Sequence, residues 1–175
     1  MKYTCYAAMS LFLAVVFVQS AFAQSSMHLF RIERSKNANI VQYDVRLDAD
    51  GNIDRANPID VYWLRLATNG ERAEISAFER PAFGFSVTYS TATGNFDLRL
   101  RAVDTKPITI KNTPAGIRAV IQINGEDAYL TRIFVNSRDG FLGIPRVVYY
   151  IIYGLDPETL QEVSERIDVN NRRGG

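Results

Sequence analysis

What most constrains this chain is a period-two alternation of apolar and polar residues, repeated along its length and broken by turns bearing Gly, Asn and Asp. From Ile40 to Leu47, Val41, Tyr43, Val45 and Leu47 fall on one side and Gln42, Asp44 and Arg46 on the other. That is the pattern of a half-buried strand. Phe83-Phe85-Val87-Tyr89, Phe96-Leu98-Leu100 and Ile117-Ala119-Ile121-Ile123 read the same way, and Leu29–Glu33, Ile59–Leu66 and Tyr129–Val135 are also strand-like. Arg146–Tyr153 is apolar on both faces, which predicts a central strand covered on both sides. Asp50-Gly51 suits a type I′ hairpin turn, with Thr93-Gly94-Asn95, Asn124-Gly125 and Asp139-Gly140 as further turns. The one stretch with helical spacing is Gly70–Arg80, where Ile75 and Phe78 lie three apart among Glu71, Arg72, Glu74 and Glu79. The pattern predicts an all-β fold: a single antiparallel β-barrel or β-sandwich of about eight or nine strands, with at most one short helix.

The first 23 residues read differently. Lys2 gives a positive start, Leu11–Val18 an apolar run, and Ala21-Phe22-Ala23 a small-residue cleavage signal before Gln24. The expected organisation is a signal peptide over 1–23, one exported domain over 24–169 and a polar tail over 170–175. Leu11–Val18 falls far short of the roughly 20 apolar residues needed to span a bilayer. No later run approaches that length, so no transmembrane segment is expected in the mature chain. Export to the periplasm or beyond follows from the leader.

Charge and cysteine content then exclude whole classes of chemistry. The chain carries 20 Lys+Arg and 19 Asp+Glu, and one of the basic residues is Lys2 in the leader. A balanced charge provides no long-range field for nucleic acid. The single Cys, Cys5, lies in the leader, so thiol catalysis and Cys-ligated metals are excluded from the mature chain. His28 is the single His, which leaves no His-rich metal site, and it reads as a surface or strand-edge residue. No cofactor is expected.

The blocks HLFRIERSKNANIVQYDV (28–45), PIDVYWLRL (58–66), FERPAFGFSV (78–87), TRIFV (131–135) and VVYYIIYGLDPETLQEVSERI (147–167) carry a resemblance. Together they resemble a family of bacterial exported domains of unknown function. The specific elements are Arg34-Ser35-Lys36-Asn37 followed by Asn39, the Tyr62-Trp63 pair, Phe83-Gly84, and the turn Gly154-Leu155-Asp156-Pro157. The resemblance implies a compartment and one coherent domain, and it transfers no catalytic residue. Leu160 departs from it, standing where relatives often have Gly.

Arg34, Ser35, Lys36, Asn37 and Asn39 form the foremost candidate ligand site. Two cations and three short polar side chains between strands suit a clamp for a carboxylate, a phosphate or sugar hydroxyls. The competing reading is a turn whose Ser and Asn side chains bond their own backbone. Trp63 and Arg65 are the second candidate surface: with Tyr62, Leu64 and Leu66 toward the core, these two share the opposite face. A Trp covered within an apolar layer is the alternative. Asp48, Asp50, Asn52 and Asp54 have oxygen ligands at every second position, as in a calcium loop, but Gly51 is fourth where an EF-hand places Gly sixth, and Ile59 stands twelfth in place of Glu. A hairpin tip explains them more simply. Glu158, Glu162 and Glu165 read as a solvated face.

These features favour a non-catalytic exported module binding an unidentified small ligand or a cell-envelope protein. The alternative is a periplasmic hydrolase using an Asp/Glu pair, recognisable by one raised pKa. A third reading, an outer-membrane barrel, is disfavoured by apparent strands mostly shorter than the roughly 9–11 residues needed to span.

Overall fold

In a computed structural model of the chain, the structure describes residues 25–90, 95–101, 103–140 and 145–169. The predicted leader, the tail and part of the turns at Thr93-Gly94 and after Gly140 lie outside the described residues. Eleven strands follow in chain order: β1 (Ser26–Arg34), β2 (Asn37–Arg46), β3 (Ile59–Arg65), β4 (Glu71–Glu74), β5 (Phe85–Tyr89), β6 (Phe96–Leu100), β7 (Val103–Thr113), β8 (Gly116–Ile123), β9 (Glu126–Asp139), β10 (Pro145–Leu155) and β11 (Glu162–Asp168). One short helix, α1 (Arg80–Phe83), precedes β5, and a 3-10 turn (Leu66–Thr68) follows β3.

The fold is all-β, a single curled sheet in half-barrel form, with strand order β4-β3-β2-β1-β9-β8-β7-β6-β5. It is organised by β9. The first part of β9 pairs antiparallel with β8, and its second part pairs in parallel with β1, Arg31–Arg34 lying against Arg132–Val135. Its other edge takes β10, which carries β11 beyond it. Two wings, β1–β4 and β8–β5, therefore spring from one edge of a single strand. A spanning barrel must close; here β4, β5 and β11 each end a run of pairing. Strand length is not the obstacle it looked from the sequence, since β7, β9 and β10 reach 11, 14 and 11 residues. No helix among the described residues is long and apolar enough to cross a membrane.

The alternating residues of both wings meet in one core. Phe30, Val41, Tyr43, Leu98, Ile110, Ile133 and Ile152 are wholly buried there. Phe30 stacks on Tyr43, ring centroids 4.6 Å apart and planes 10° from parallel. The Tyr43 hydroxyl donates to the Phe83 carbonyl at 2.8 Å, fastening α1 to the sheet.

Four local expectations need correction. Gly70–Arg80 is not a helix: Glu71–Glu74 is strand, paired with Leu64 and its neighbours, and the helical turn lies further on at Arg80–Phe83. Backbone pairing to β3 overrides a spacing of only two apolar residues. Asp50-Gly51 is not a type I′ turn, because Gly51 alone of the pair has positive φ, +80°. Asn69-Gly70 (φ 55° and 77°) and Asn124-Gly125 (φ 53° and 91°) do have both residues there. Among the described residues the far face of β10 carries no second layer: Tyr149 and Tyr153 lie half-buried beneath the guanidinium groups of Arg166 and Arg132, each 3.7 Å from its ring centroid. The last concerns β3, whose facing determines the site.

Candidate functional site

β3 presents Trp63 inward and Tyr62 and Leu64 outward, the reverse of the facing expected. Trp63 pairs with Val41 and joins the core cluster at 5% exposure. Tyr62 is nonetheless covered, because Arg72 lies 3.9 Å over its ring and its hydroxyl donates to Asp44 Oδ2 at 2.7 Å. A polar network thus buries an outward residue that hydropathy alone assigns to the core.

At the end of the core three elements converge. Arg34 closes β1, Trp63 comes from β3 and Phe83 from α1. Phe83 meets Trp63 edge-on, 5.1 Å between centroids and 78° between planes. The Arg34 guanidinium carbon sits 4.5 Å from the Trp63 ring centre and 5.3 Å from that of Phe83. Its face is thereby engaged by aromatic quadrupoles. Its edge is not: Nε is buried with no hydrogen-bond partner, and no carboxylate among the described residues comes within ion-pair distance. Burial lowers the Arg34 pKa and the charge of Glu79 partly restores it; a guanidinium stays charged throughout.

Arg34 opens onto a concavity of about 370 Å³. Of the sequence-nominated residues, Arg34, Asn37, Asn39, Trp63 and Arg65 all line it. Ser35 and Lys36 do not. Ser35 Oγ accepts the Ser137 N–H at 3.1 Å, and Lys36 pairs with Asp139 at 2.6 Å, so both tie the β1–β2 turn to the end of β9. The two readings of this segment thus divide residue by residue. Asn37 serves both, since its Oδ1 also accepts the Asn39 N–H at 2.9 Å.

Ala67, Thr68, Glu74, Ser76 and Glu79 complete the lining and are not nominated from the sequence. Glu79 Oε2 accepts the Ser76 N–H at 2.9 Å and the Ser76 hydroxyl at 2.7 Å. The Ser76 hydroxyl bond is the largest influence holding the Glu79 carboxyl below its usual range, supported by the Ser76 N–H, the Trp63 indole and the charge of Arg34. A signal for this was present: Ser76-Ala77-Phe78-Glu79 has the S-x-x-E spacing of a capping box.

The other candidates sit elsewhere. Asp48 Oδ1 accepts the N–H groups of Asp50 and Asn52 at 3.0 and 2.9 Å, and Asp54 Oδ1 that of Ala56 at 2.9 Å. These side chains hold their own loop, and among the described residues no group of three or more His, Cys, Asp or Glu is arranged to hold a metal. His28 lies exposed at the surface, and its Nδ1 is 3.1 Å from the buried Asp44 on the outward face of the sheet. Burial pushes the Asp44 pKa up, but hydrogen bonds from His28, Tyr62 and Gln42 outweigh it and leave the carboxyl low. Burial first, then the Asp44 bond, drives the Tyr62 phenol up to about 12. Glu165 is not part of a solvated face, because it accepts from Lys106 and from the Asn124 N–H. Glu162 lies 3.6 Å from Arg132, and Glu158 donates its N–H to Asp156.

A family model described as a domain of unknown function, DUF4833, matches residues 30–166. The chain belongs to the DUF4833 family. No curated protein and no solved structure matches it. The DUF4833 region runs from the first wholly buried core residue, Phe30, to β11, and every residue lining the Arg34 concavity falls inside it.

Proposed function

We propose that this protein is an exported, non-catalytic binding module that holds a small ligand bearing a planar anionic group in the concavity over Arg34. Export rests on the leader pattern of residues 1–23. The observation that carries the binding reading is the guanidinium of Arg34, engaged on its face by Trp63 and Phe83 and unpaired along its buried Nε edge. A structural arginine normally satisfies that edge. One that leaves Nε unpaired while its side chain lines a polar hollow keeps donors for a two-pronged acceptor. About 370 Å³ lies within the roughly 300–1,000 Å³ typical of small-molecule sites.

The non-catalytic part rests on proton chemistry. Hydrolysis by an acid pair needs one carboxyl kept protonated near neutrality. Asp44, Glu79, Asp156 and Glu165 are all displaced downward instead, toward the ionised form. His28 faces away from the concavity with Asp44.

Native mass spectrometry of protein released without detergent from its own cell envelope tests the reading. A reproducible mass excess is expected, absent from Arg34→Met. An excess that survives Arg34→Met rejects the site, and turnover of an envelope substrate by the purified protein rejects the non-catalytic assignment.

A further inference from the structure

The lining of the Arg34 concavity carries charges of both signs, two cations and two anions. Arg34 and Arg65 stand against Glu74 and Glu79. A hollow shaped for a simple anion would keep carboxylates out, since each one repels the incoming charge within a few ångströms. Here Glu79 is held ionised by two donors from Ser76, and Glu74 has no ion-pair partner within 4 Å among the described residues. Around them Asn39 offers an amide that both donates and accepts, Asn37 an amide whose Oδ1 already takes the Asn39 N–H, and Thr68 an oxygen whose hydrogen goes to the Arg65 carbonyl. Beside Glu79 in the chain stands Phe78, exposed over 96% of its surface, the most exposed large apolar residue described.

We propose that the ligand is a zwitterion of the amino-acid or short-peptide class, its carboxylate on Arg34 and its ammonium against Glu74 and Glu79. The assignment rests on the binding reading above and names the chemistry of that same site. A phosphate dianion would meet Glu79 unfavourably, and a neutral sugar would engage neither the Arg34 nor the Glu74 charge directly. The side-chain amides of Asn37 and Asn39 match a peptide group.

Calorimetric titration with alanyl-phenylalanine, its N-acetyl derivative and its C-terminal amide separates the terms. The free dipeptide is expected to bind at least tenfold tighter than either blocked form. Glu74→Gln is expected to weaken the free dipeptide about tenfold and leave the N-acetyl form unchanged. Arg34→Met is expected to abolish binding of both. Equal affinity for the free and N-acetyl forms overturns the zwitterion assignment while the Arg34 site stands. No heat from any of the three, in a protein whose native mass excess still depends on Arg34, also overturns it alone. A mass excess indifferent to Arg34→Met removes the site and the assignment together.

Discussion

A guanidinium has faces and an edge, and around Arg34 the aromatic rings of Trp63 and Phe83 engage a face while Nε is left unpaired. Leaving a buried donor such as Nε unpaired costs about 1–3 kcal/mol. The contacts with Trp63 and Phe83 return about 0.5–2 kcal/mol. Methionine keeps an apolar stem against the two rings and removes the orphan donor. Arg34→Met is therefore expected to leave stability unchanged or raise it by about 1 kcal/mol, measured by urea unfolding, while binding is lost. Arg34→Ala removes the stem as well and is expected to destabilise. A loss above about 2 kcal/mol in Arg34→Met would make the residue structural. The same scale shows what the sequence could reveal: Arg34, Asn37, Asn39, Trp63 and Arg65 were legible by residue type, because Arg, Asn and Trp are the side chains that recognition requires. Which way Trp63 points was not legible, because that depends on Arg72 and Asp44 covering Tyr62.

Among the elements, strands with a strong alternation were readable and those set by their neighbours were not. β2, β6 and β8 follow the period-two pattern, whereas β4 has only polar residues around Ala73 and exists by pairing with β3. Reading Gly70–Arg80 as a helix hides Glu74, Ser76 and Glu79, three of the ten residues that line the concavity. The β10–β11 hairpin holds an opposite case, a local departure whose reason lies in the backbone. Leu160 has φ +57° while 59% exposed, and it donates its N–H to the Asp156 carbonyl at 2.9 Å. A branched side chain in the left-handed region costs about 1–2 kcal/mol. Glycine removes that strain and adds back about 0.5–1 kcal/mol of unfolded-state entropy. Leu160→Gly is expected to raise stability by up to about 1 kcal/mol, read as an upward shift in the urea midpoint at unchanged slope. A lowered midpoint would show that Leu160 makes a contact worth more than its strain.

For the whole molecule, composition and turn signals were enough for an all-β domain, but not for its branching. The parallel pairing of β1 with β9 joins residues a hundred positions apart, and no local pattern encodes it. The same branching spreads ionised carboxylates across the sheet. Asp44 ties β1, β2 and β3 through His28, Gln42 and Tyr62; Glu165 ties β11 to Lys106 of β7 and to the β8–β9 turn; Asp156 caps the β10–β11 turn. All three, with Glu79, have folded pKa values below their ordinary range. A depressed pKa means that the folded state binds the proton less readily than the unfolded chain does. Its stabilisation is complete above the unfolded value near 4 and is lost as pH falls through the folded one. Urea unfolding is therefore expected to give a flat stability from pH 7 to about 5 and a steady decline from about pH 4 downward. Asp44→Asn should shallow that decline while lowering stability at pH 7, because the amide cannot accept the charge-assisted bonds from Tyr62 and Gln42 equally well. A stability that stays flat down to about pH 3 would remove these carboxylates as the source of the acid sensitivity.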